Sequence, residues 1–541
     1  MISTYTLNNL GLVAGTCKEL RIAELVDSLI PPDPQQKVTT GQAIVSMIIN
    51  GLGFSNRTLY LYPQFFERKP VDIFIGTGLE AEDFNDDTIG RSLDRMFTYG
   101  CTELFGSIAL HATELEQIDK KFGHLDTTTF SLHGDYKSSE EEGAAIHITY
   151  GPSKLKRPDL KQLFLNLLVA SDGGVPLFMQ ALDGNSSDNT VFRKTVTEFR
   201  KGLKSNLQPI DYWIADSKFY TKETISKVKD DVKWISRVPD TIKEARLEIK
   251  HTARTLDQLQ PLKDEKYLYR SHEAHYGGVS QRWLIIFSTY AKKRSAETVK
   301  KAVEEEYTKI DCQSSKRGKK GFHCEADAKD SILLFQKKLR YHTITINSMN
   351  VKVKYEGRGR PAKNAEKELL FHPHYHIKLD KEEMESMINR KAIFIIATNE
   401  SDHTKVNDVE IFDHYKDQTK VERGFRFLKD PLFFSSSLFL KKPERIVALT
   451  MVMCLSLLVY SICERKLRML LKSVGKSINS QLGKPTQRPT LRWVYQIFED
   501  VHLVKMSENG ACRYEVTNLR DDAMVVLEVL GPSYKEMYLL P

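Results

Sequence analysis

The strongest constraint on the fold is a series of strand-like segments between residues 124 and 238. The first, HLDTTTFSL (124–132), is rich in threonine and apolar residues. The next two, LFLNLLVA (163–170) and VPLFMQAL (175–182), flank a Ser-Asp-Gly-Gly sequence at 171–174. Because this sequence supplies the glycines that a tight reversal needs, the two segments are predicted to form a β-hairpin.

Alternating helices and strands are predicted after the hairpin. A helix is predicted over 190–204, a strand over DYWIAD (211–216), a helix from Thr221 and a strand over VKWISRV (232–238). Three strands followed by helix, strand, helix and strand indicate a mixed α/β sheet. The expected fold class is α/β, with a ribonuclease H-like core, a β-rich insertion, and helical regions toward the N- and C-terminal ends.

Charge is distributed unevenly along the chain. The 541 residues carry a formal charge of +8, but residues 1–115 contain 8 Lys/Arg and 14 Asp/Glu, a balance of −6, which leaves +14 on the rest. A basic body suits a polyphosphate partner, because each neutralised phosphate releases counterions. The acidic first segment is a poor DNA clamp by charge alone, which favours protein contacts for it.

One uncharged run has the length of a membrane span. Residues 446–463, IVALTMVMCLSLLVYSIC, meet the length threshold for a transmembrane helix. A buried helix packed against a sheet has the same composition, and we favour it because no other segment is typical of a membrane protein. Seven scattered cysteines without a Cys-x-x-Cys pair, and no basic and apolar leader, predict a cytoplasmic protein with reduced thiols.

A polar stripe is predicted on the helix around residue 422. At about 100° per residue, Tyr415, Gln418, Glu422 and Lys429 fall within a sector of about 60°. A phenol, an amide, a carboxylate and an ammonium on one face suggest a surface that meets a ligand. The alternative, which is more common for an arbitrary helix, is a solvated face with a Glu–Lys pair.

Two aspartates interrupt or end the predicted central strands. Asp126 lies within the first strand, and Asp216 ends the apolar run YWIA. Strand ends are where α/β sheets place ligand-binding groups, although either aspartate alone could equally be a turn or helix-cap residue. With Glu422, the two could hold two divalent ions for an in-line phosphoryl displacement. Hard oxygen ligands favour Mg²⁺ or Mn²⁺.

The sequence around these residues resembles the DDE transposases of bacterial insertion sequences. The spacing Tyr415-(2)-Gln418-(3)-Glu422-(6)-Lys429 matches the Y-(2)-R-(3)-E-(6)-K signature of one subclass, with Gln418 in place of the arginine. The two aspartate blocks of that family are similar to GHLDTTTFSLHGDY and WIADSKFYTKE. The family segments between these blocks are similar to GPSKLKRPDLKQ and DGNSSDNT. The N-terminal helical domain of a long-chain branch of the family is similar to NDDTIGRSLDRM. The resemblance covers most of residues 1–465.

The resemblance implies a role for each matching residue. Asp126, Asp216 and Glu422 would be the catalytic residues and would ligate two metal ions. Tyr415 and Lys429 would contact phosphates of the transposon end.

Gln418 is the departure from the family signature. A neutral amide cannot make the charged, bidentate phosphate contact of an arginine, so weaker binding of the DNA end is expected here. Arg423 and Arg426 are the nearby cations that could compensate.

Other basic residues are candidate DNA contacts. The sequence GRGRP at 357–361, with Arg358 and Arg360, resembles an AT-hook core, whose arginines suit the narrow minor groove of A·T DNA; a flexible turn is the alternative. Lys154 and Arg157 follow the first strand and could track the DNA backbone; a solvated loop is the alternative.

Five segments are predicted along the chain. They are an N-terminal helical domain for DNA-end binding or dimer contacts (1–115), the first part of the ribonuclease H-like catalytic domain (116–240), an insertion subdomain (241–390), the second part of the catalytic domain with the Glu422 helix (391–465), and a basic helical region (466–541).

The predicted function is that of a mobile-element enzyme, a DDE transposase. It would cut double-stranded DNA at terminal inverted repeats as a metal-dependent endonuclease and join the ends to target DNA, completing a recombination. Paired ends imply a homodimer in the synaptic complex. The alternatives are a ribonuclease H-like nuclease without strand transfer, a DNA-binding relative that has lost catalysis, and a membrane-attached protein that uses residues 446–463.

Overall fold

The chain forms two compact units. The computed structural model describes residues 2–53, 61–132, 134, 136, 145–151, 157–186, 210–228, 232–355, 367–430, 440–508 and 511–540. The first unit contains Met1–Ser236 and Asp413–Pro541, and the second contains Arg237–Phe412. The five predicted segments stay a prediction, while the contacts within the chain group the N- and C-terminal segments with the central strands.

Both units contain helices and strands, and within the described residues a run of seven α-helices follows β1. Up to residue 238 the elements are β1 (Ile2–Thr6), α1 (Leu10–Glu19), α2 (Ile22–Leu29), α3 (Thr40–Leu52), α4 (Tyr62–Phe66), α5 (Val71–Phe74), α6 (Asp86–Tyr99), α7 (Cys101–Leu115), β2 (Phe122–Leu132), β3 (Lys161–Ala170), β4 (Pro176–Leu182), β5 (Tyr212–Ala215), α8 (Lys222–Val228) and β6 (Lys233–Val238). The next are α9 (Lys243–Thr252), β7 (Gln260–Pro261), β8 (Tyr267–Tyr276), β9 (Val279–Ser288), α10 (Thr289–Lys320), α11 (Glu325–Gln336), β10 (His342–Tyr355), β11 (Lys367–Leu379), α12 (Lys381–Lys391), β12 (Ile393–Thr398) and α13 (Asp408–Lys416). The last are α14 (Thr419–Leu428), α15 (Pro443–Ser473), β13 (Ile478–Asn479), β14 (Pro485–Thr486), α16 (Leu491–Ile497), β15 (His502–Glu508), β16 (Ala511–Thr517), α17 (Asp521–Leu530) and α18 (Pro532–Met537).

The central sheet of the first unit is mixed. Its strands follow the order β4-β3-β2-β5-β6. The pairs β2–β3 and β3–β4 are antiparallel, whereas β2–β5 and β5–β6 are parallel. The predicted strands and the hairpin between β3 and β4 are confirmed, and Gly173 and Gly174 adopt the positive φ values (75° and 68°) that the turn requires. The helix predicted over 190–204 lies outside the described residues.

Helix α15 forms the apolar centre of the first unit. By length and composition it could cross a membrane, yet 89% of its most apolar stretch is buried inside the unit. It packs against α3, α6, α7, α17 and β4. The prediction of a buried helix packed against a sheet is therefore confirmed. Arg445 of α15 also forms a bidentate ion pair with Asp94 of α6, with both N–O distances 2.7 Å.

The two ends of the chain fold together within the first unit. Strand β1 pairs with β15, which pairs with β16, and α1 packs against α18. The buried Tyr538 hydroxyl donates a hydrogen bond of 2.5 Å to the carbonyl of Asn8. The C-terminal region was predicted to be helical, and its β15–β16 hairpin is a strand element that the prediction missed.

Cysteine thiols of the first unit lie mainly in its core. Cys17, Cys101, Cys454 and Cys463 are buried free thiols. Burial raises the pKa of Cys101 and of Cys463 to about 12, so that both stay protonated at neutral pH. The reduced state of the thiols stays a prediction, with which their burial as free thiols agrees.

The second unit contains two antiparallel β structures and long helices. One sheet has the order β12-β9-β8-β7, and β10 and β11 form a separate hairpin. The sequences KYLYRSHEAHY and QRWLIIFSTY flank Gly277-Gly278 and predict a hairpin. This hairpin is confirmed as β8 and β9, with both glycines at positive φ. Val299, Tyr341, Met387 and others form its buried cluster, and helix α10 packs against α12 and β11.

Candidate active site

Two aspartates lie side by side on neighbouring parallel strands. The register of β2 and β5 pairs Phe122 with Tyr212 and His124 with Ile214. Continued by two residues, this register sets Asp126 opposite Asp216, which directly follows β5. Because neighbouring strands are about 4.8 Å apart, the two backbones are close enough for both carboxylates to meet one ligand.

Local hydrogen bonds orient each aspartate. The backbone N–H of Thr127 donates to Oδ1 of Asp126 at 2.7 Å, and the backbone N–H of Lys218 donates to Oδ1 of Asp216 at 3.0 Å. The buried Ser236 hydroxyl on β6 donates to the carbonyl oxygen of Asp216 at 2.9 Å. These bonds fix the turn after β5 as well as its carboxylate.

Both aspartates line the same surface pocket. It is lined by Leu125, Asp126, Thr127, Ala215, Asp216, Lys218 and Phe219. Lys218 was not among the residues predicted from the sequence. In the sequence, Lys218 is a basic residue two positions after the aspartate that ends the strand. This spacing does not distinguish it from an ordinary surface lysine.

Glu422 lies on helix α14, beside the first aspartate strand. Val421, Phe425 and Leu428 are the buried side of this amphipathic helix, whereas Glu422 is exposed. The helix packs against α15, β2 and β3. At its end, the ammonium of Lys429 lies 5.8 Å from the ring centre of Phe130 on β2.

The structure brings together two of the three predicted metal ligands. Asp126 and Asp216 share the pocket, and Glu422 is not among its lining residues. Within the described part of the chain, no group of three or more His, Cys, Asp or Glu side chains is arranged to hold a metal ion. The three-carboxylate site therefore stays a prediction.

The segment that carries the spaced signature is not one continuous helix. Helix α13 ends at Lys416 and α14 begins at Thr419, so Tyr415 and Glu422 lie on different helices. The backbone N–H of Gln418 bonds to the carbonyl of Tyr415 at 3.2 Å, three residues back, which tightens the turn relative to an α-helix. The predicted four-residue stripe, calculated for one straight helix, is wrong in this respect.

Comparison with known proteins identifies the family. Residues 119–459, more than half of the chain, match the family described as the transposase DDE domain. The chain belongs to the DDE transposase family. Residues 2–110 of this transposase-family chain match a domain family of unknown function (DUF4277).

Matches to individual proteins are more distant. No curated protein matches the chain. Among solved structures, the chain is similar to the piggyBac transposase in a synaptic complex with hairpin DNA, with a TM-score of 0.37 and 8% sequence identity, over 92% of this chain and 82% of that chain.

The donor set of this DDE-family pocket fits a hard divalent cation. Asp126 and Asp216 supply carboxylate oxygens from adjacent strands, and such oxygens are the ligands that Mg²⁺ and Mn²⁺ prefer. Lys218 adds a cation to the lining of the same pocket, where it could form an ion pair with a phosphate group. The residues present therefore suit both a metal ion and the anion that it would polarise.

The remaining predicted DNA contacts are dispersed. Arg423 and Arg426 are exposed on α14, on the same helix as Glu422. The guanidinium of exposed Arg157 is paired with Asp159, at N–O distances of 2.6 to 3.1 Å. Lys154, Arg358 and Arg360 lie outside the described residues.

Proposed function

We propose that this chain is an insertion-sequence transposase that cleaves transposon ends and transfers them to target DNA in a metal-dependent reaction. The observation that carries the proposal is the placement of Asp126 opposite Asp216 in one pocket, within the segment that matches the transposase DDE domain. Two carboxylates on adjacent strands meet the first requirement of phosphoryl transfer assisted by metal ions.

A ribonuclease H-like core is part of this proposal. The order β4-β3-β2-β5-β6, with an antiparallel trio followed by parallel strands, supports it. Asp126 lies on the middle strand of this order and Asp216 follows the next one. This arrangement presents both carboxylates at a position where parallel strands commonly offer ligand-binding groups.

Asp126, Asp216 and Glu422 would hold Mg²⁺ or Mn²⁺, two ions by analogy with the family. When bound, such ions activate the attacking oxygen and stabilise the charge on the leaving oxygen. The amides of Thr127 and Lys218 hold the aspartates in place so that little reorganisation is needed on binding.

Basic side chains near the pocket would hold the DNA. The ammonium of Lys218 would contact a backbone phosphate beside the two aspartates, and Lys429, Arg423 and Arg426 would contact phosphates along α14. Tyr415 and Gln418 would contribute neutral hydrogen bonds at the turn between α13 and α14. The neutral Gln418 leaves the charged share of this contact to the arginines.

The partners of this reaction would be the terminal inverted repeats and a target duplex. A homodimer would pair the two ends in the synaptic complex, in the cytoplasm. The +14 balance of the chain beyond residue 115 supports a DNA partner, because the association with phosphates is driven by counterion release.

A second candidate is a DNA-binding relative without catalysis. The observation that favours it is the absence of Glu422 from the group of residues that line the pocket. A cleavage assay separates the two candidates. A nuclease without strand transfer would cleave the DNA in the same assay but would form no joined product.

The test is cleavage and joining of labelled DNA that carries the inverted repeats flanking the gene. Wild type should cut the ends and form a strand-transfer product with Mg²⁺ or Mn²⁺, and chelation should stop both. Asp126→Ala, Asp216→Ala and Glu422→Ala should each lower the rate by a factor of about 10³ or more. Asp211→Ala is the matched control, because Asp211 is exposed at the other end of β5. Near wild-type cleavage by any of the three variants would contradict the proposed site.

A further inference from the structure

A histidine ahead of the Glu422 helix stacks on the first residue of the first aspartate strand. The ring of His414, on α13, lies 3.7 Å from the ring of Phe122, with an interplanar angle of 14°. Phe122 stacks in turn on Tyr212, at 5.2 Å and 24°. Since Phe122 and Tyr212 are register partners, the three rings join α13 to the beginnings of β2 and β5.

One serine hydroxyl connects the same elements by hydrogen bonds. Oγ of Ser171 lies 2.6 Å from Nε2 of His124 on β2 and 3.1 Å from Nδ1 of His414. His124 is fully buried and Ser171 is 6% exposed. A hydroxyl can donate one hydrogen bond while accepting another, so both contacts can be made at once. The bond to His124 is buried and the bond to His414 is partly buried, so the loss of either destabilises the fold.

The serine is itself held firmly. Its backbone N–H donates to the carbonyl of Phe122 at 2.9 Å. The next residue, Asp172, accepts from Nε of Arg465 on α15 at 2.8 Å and pairs with its NH2 group at 2.6 Å. The turn between β3 and β4 is thus bonded to α15, the apolar centre of the unit. Ser171, which bonds to His414, is therefore held in place.

The three rings precede the three predicted metal ligands along the chain. Asp126 is four residues beyond Phe122, Asp216 is four residues beyond Tyr212, and Glu422 is eight residues beyond His414. The tightened turn between α13 and α14 separates His414 from the Glu422 helix by only a few residues. The stack and the bridge therefore connect β2 and β5 to the end of α13, the helix that directly precedes the Glu422 helix.

We propose that His414, held by Ser171 and Phe122, is a positioning residue that fixes helix α14 relative to the two aspartate strands. It would act through the helix, since it does not line the pocket. The consequence for metal binding rests on the proposed function of Glu422. The mechanical part does not depend on that function: it is argued from the contacts that tie the end of α13, directly ahead of α14, to the strands.

Hydrogen exchange of the amides of residues 419–428 tests the anchoring directly. His414→Ala should exchange in this segment roughly fivefold faster or more than wild type, because a partly buried hydrogen bond and a ring stack are lost. The change raises intrinsic helix propensity at position 414, so faster exchange cannot come from propensity. Ser171→Ala, which removes one oxygen, should show a smaller effect in the same segment.

Two further variants and a control sharpen this test. His414→Phe keeps the stack and loses the bridge to Ser171, so its exchange rate should lie between those of wild type and His414→Ala. Lys416→Ala changes an exposed residue of the same helix and should leave 419–428 as in wild type. Unchanged exchange in both His414→Ala and Ser171→Ala, or an equal increase throughout the first unit, would overturn the proposal.

A cleavage assay with the same variants tests the consequence for the reaction. His414→Ala should lower the single-turnover rate at saturating DNA by about 10-fold or more, with DNA affinity within about twofold of wild type. If wild type does not cleave DNA, the proposed function fails while the exchange result still decides the anchoring. If wild type cleaves and His414→Ala cleaves equally well, the positioning role is wrong.

Discussion

Asp126 of β2 and Asp216, which directly follows β5, line one pocket, and the backbone N–H of Lys218 bonds to the second of these carboxylates at 3.0 Å. Lys218 also lines the pocket and is the basic residue among its lining residues. The position of a charge beside two carboxylates has measurable consequences for DNA binding.

Lys218→Gln should reduce the salt dependence of DNA binding. If the ammonium neutralises one phosphate, the slope of log K against log salt concentration should become shallower by about 0.9. The measurement is fluorescence anisotropy of a terminal-repeat duplex between 50 and 200 mM salt, a range in which phosphate contacts dominate affinity. Lys222→Gln removes the same charge from the exposed start of α8 and should leave the slope unchanged. An unchanged slope for Lys218→Gln would remove Lys218 from the DNA contact.

Glu306 should make the second unit sensitive to acid. Its carboxylate accepts hydrogen bonds from the backbone N–H groups of Arg340 and Tyr341, at 2.7 and 2.8 Å, and pairs with Nδ1 of His342 at 2.9 Å. Burial alone would raise the pKa of Glu306, but these three bonds lower it below its ordinary value. A folded-state pKa below the unfolded one stabilises the protein above the unfolded pKa, and this stability is lost as pH falls through the folded value.

The corresponding variant is Glu306→Gln, measured by urea unfolding at several pH values. At pH 7 the amide should cost about 1 kcal/mol, because it accepts the backbone bonds less strongly than a carboxylate. The difference from wild type should shrink below about pH 4, as the wild-type carboxylate becomes protonated. A difference that stays constant from pH 7 to pH 3 would show that the charge of Glu306 does not stabilise this unit.

Arg465→Lys should destabilise the first unit measurably. The partly buried guanidinium bonds to Asp172 through two nitrogens and to the carbonyl of Glu116 at 3.2 Å. A lysine cannot reproduce this planar arrangement, so a loss of about 1 to 2 kcal/mol is expected. Lys476→Ala breaks an exposed ion pair with Glu528 and should cost clearly less than Arg465→Lys, because solvent screens exposed pairs. Equal losses in thermal unfolding for the two variants would contradict the anchoring role of Arg465.

Local sequence patterns were sufficient for most individual elements. The Ser-Asp-Gly-Gly turn before β4 and the Gly277-Gly278 turn between β8 and β9 identified hairpins, because only a few sequences adopt the required backbone angles. Asp126 and Asp216 were selected as candidates because a carboxylate is unusual within or directly after an apolar central strand. The register that sets them opposite each other follows from the pairing of β2 with β5, which no local pattern specifies.

Features that depend on distant contacts or on backbone detail were not predictable. The break between α13 and α14 contains no glycine or proline, so periodicity alone predicted one helix. The pairing of β1 with β15 joins residues about 500 positions apart. The contact of His414 with Ser171 spans 243 positions, and its partners have no sequence signature.

Localised cleavage of the protein chain by Fe²⁺ tests most directly whether Asp126 and Asp216 hold a divalent metal. Iron bound at the site of the native ion, with ascorbate and peroxide, generates hydroxyl radicals that cut the nearest backbone, and iron accepts carboxylate ligands. The account predicts cuts close to residues 126 and 216, suppressed by excess Mg²⁺ and abolished in the Asp126→Ala/Asp216→Ala double variant. Cuts that persist in the double variant, or that fall away from both strands, would contradict it.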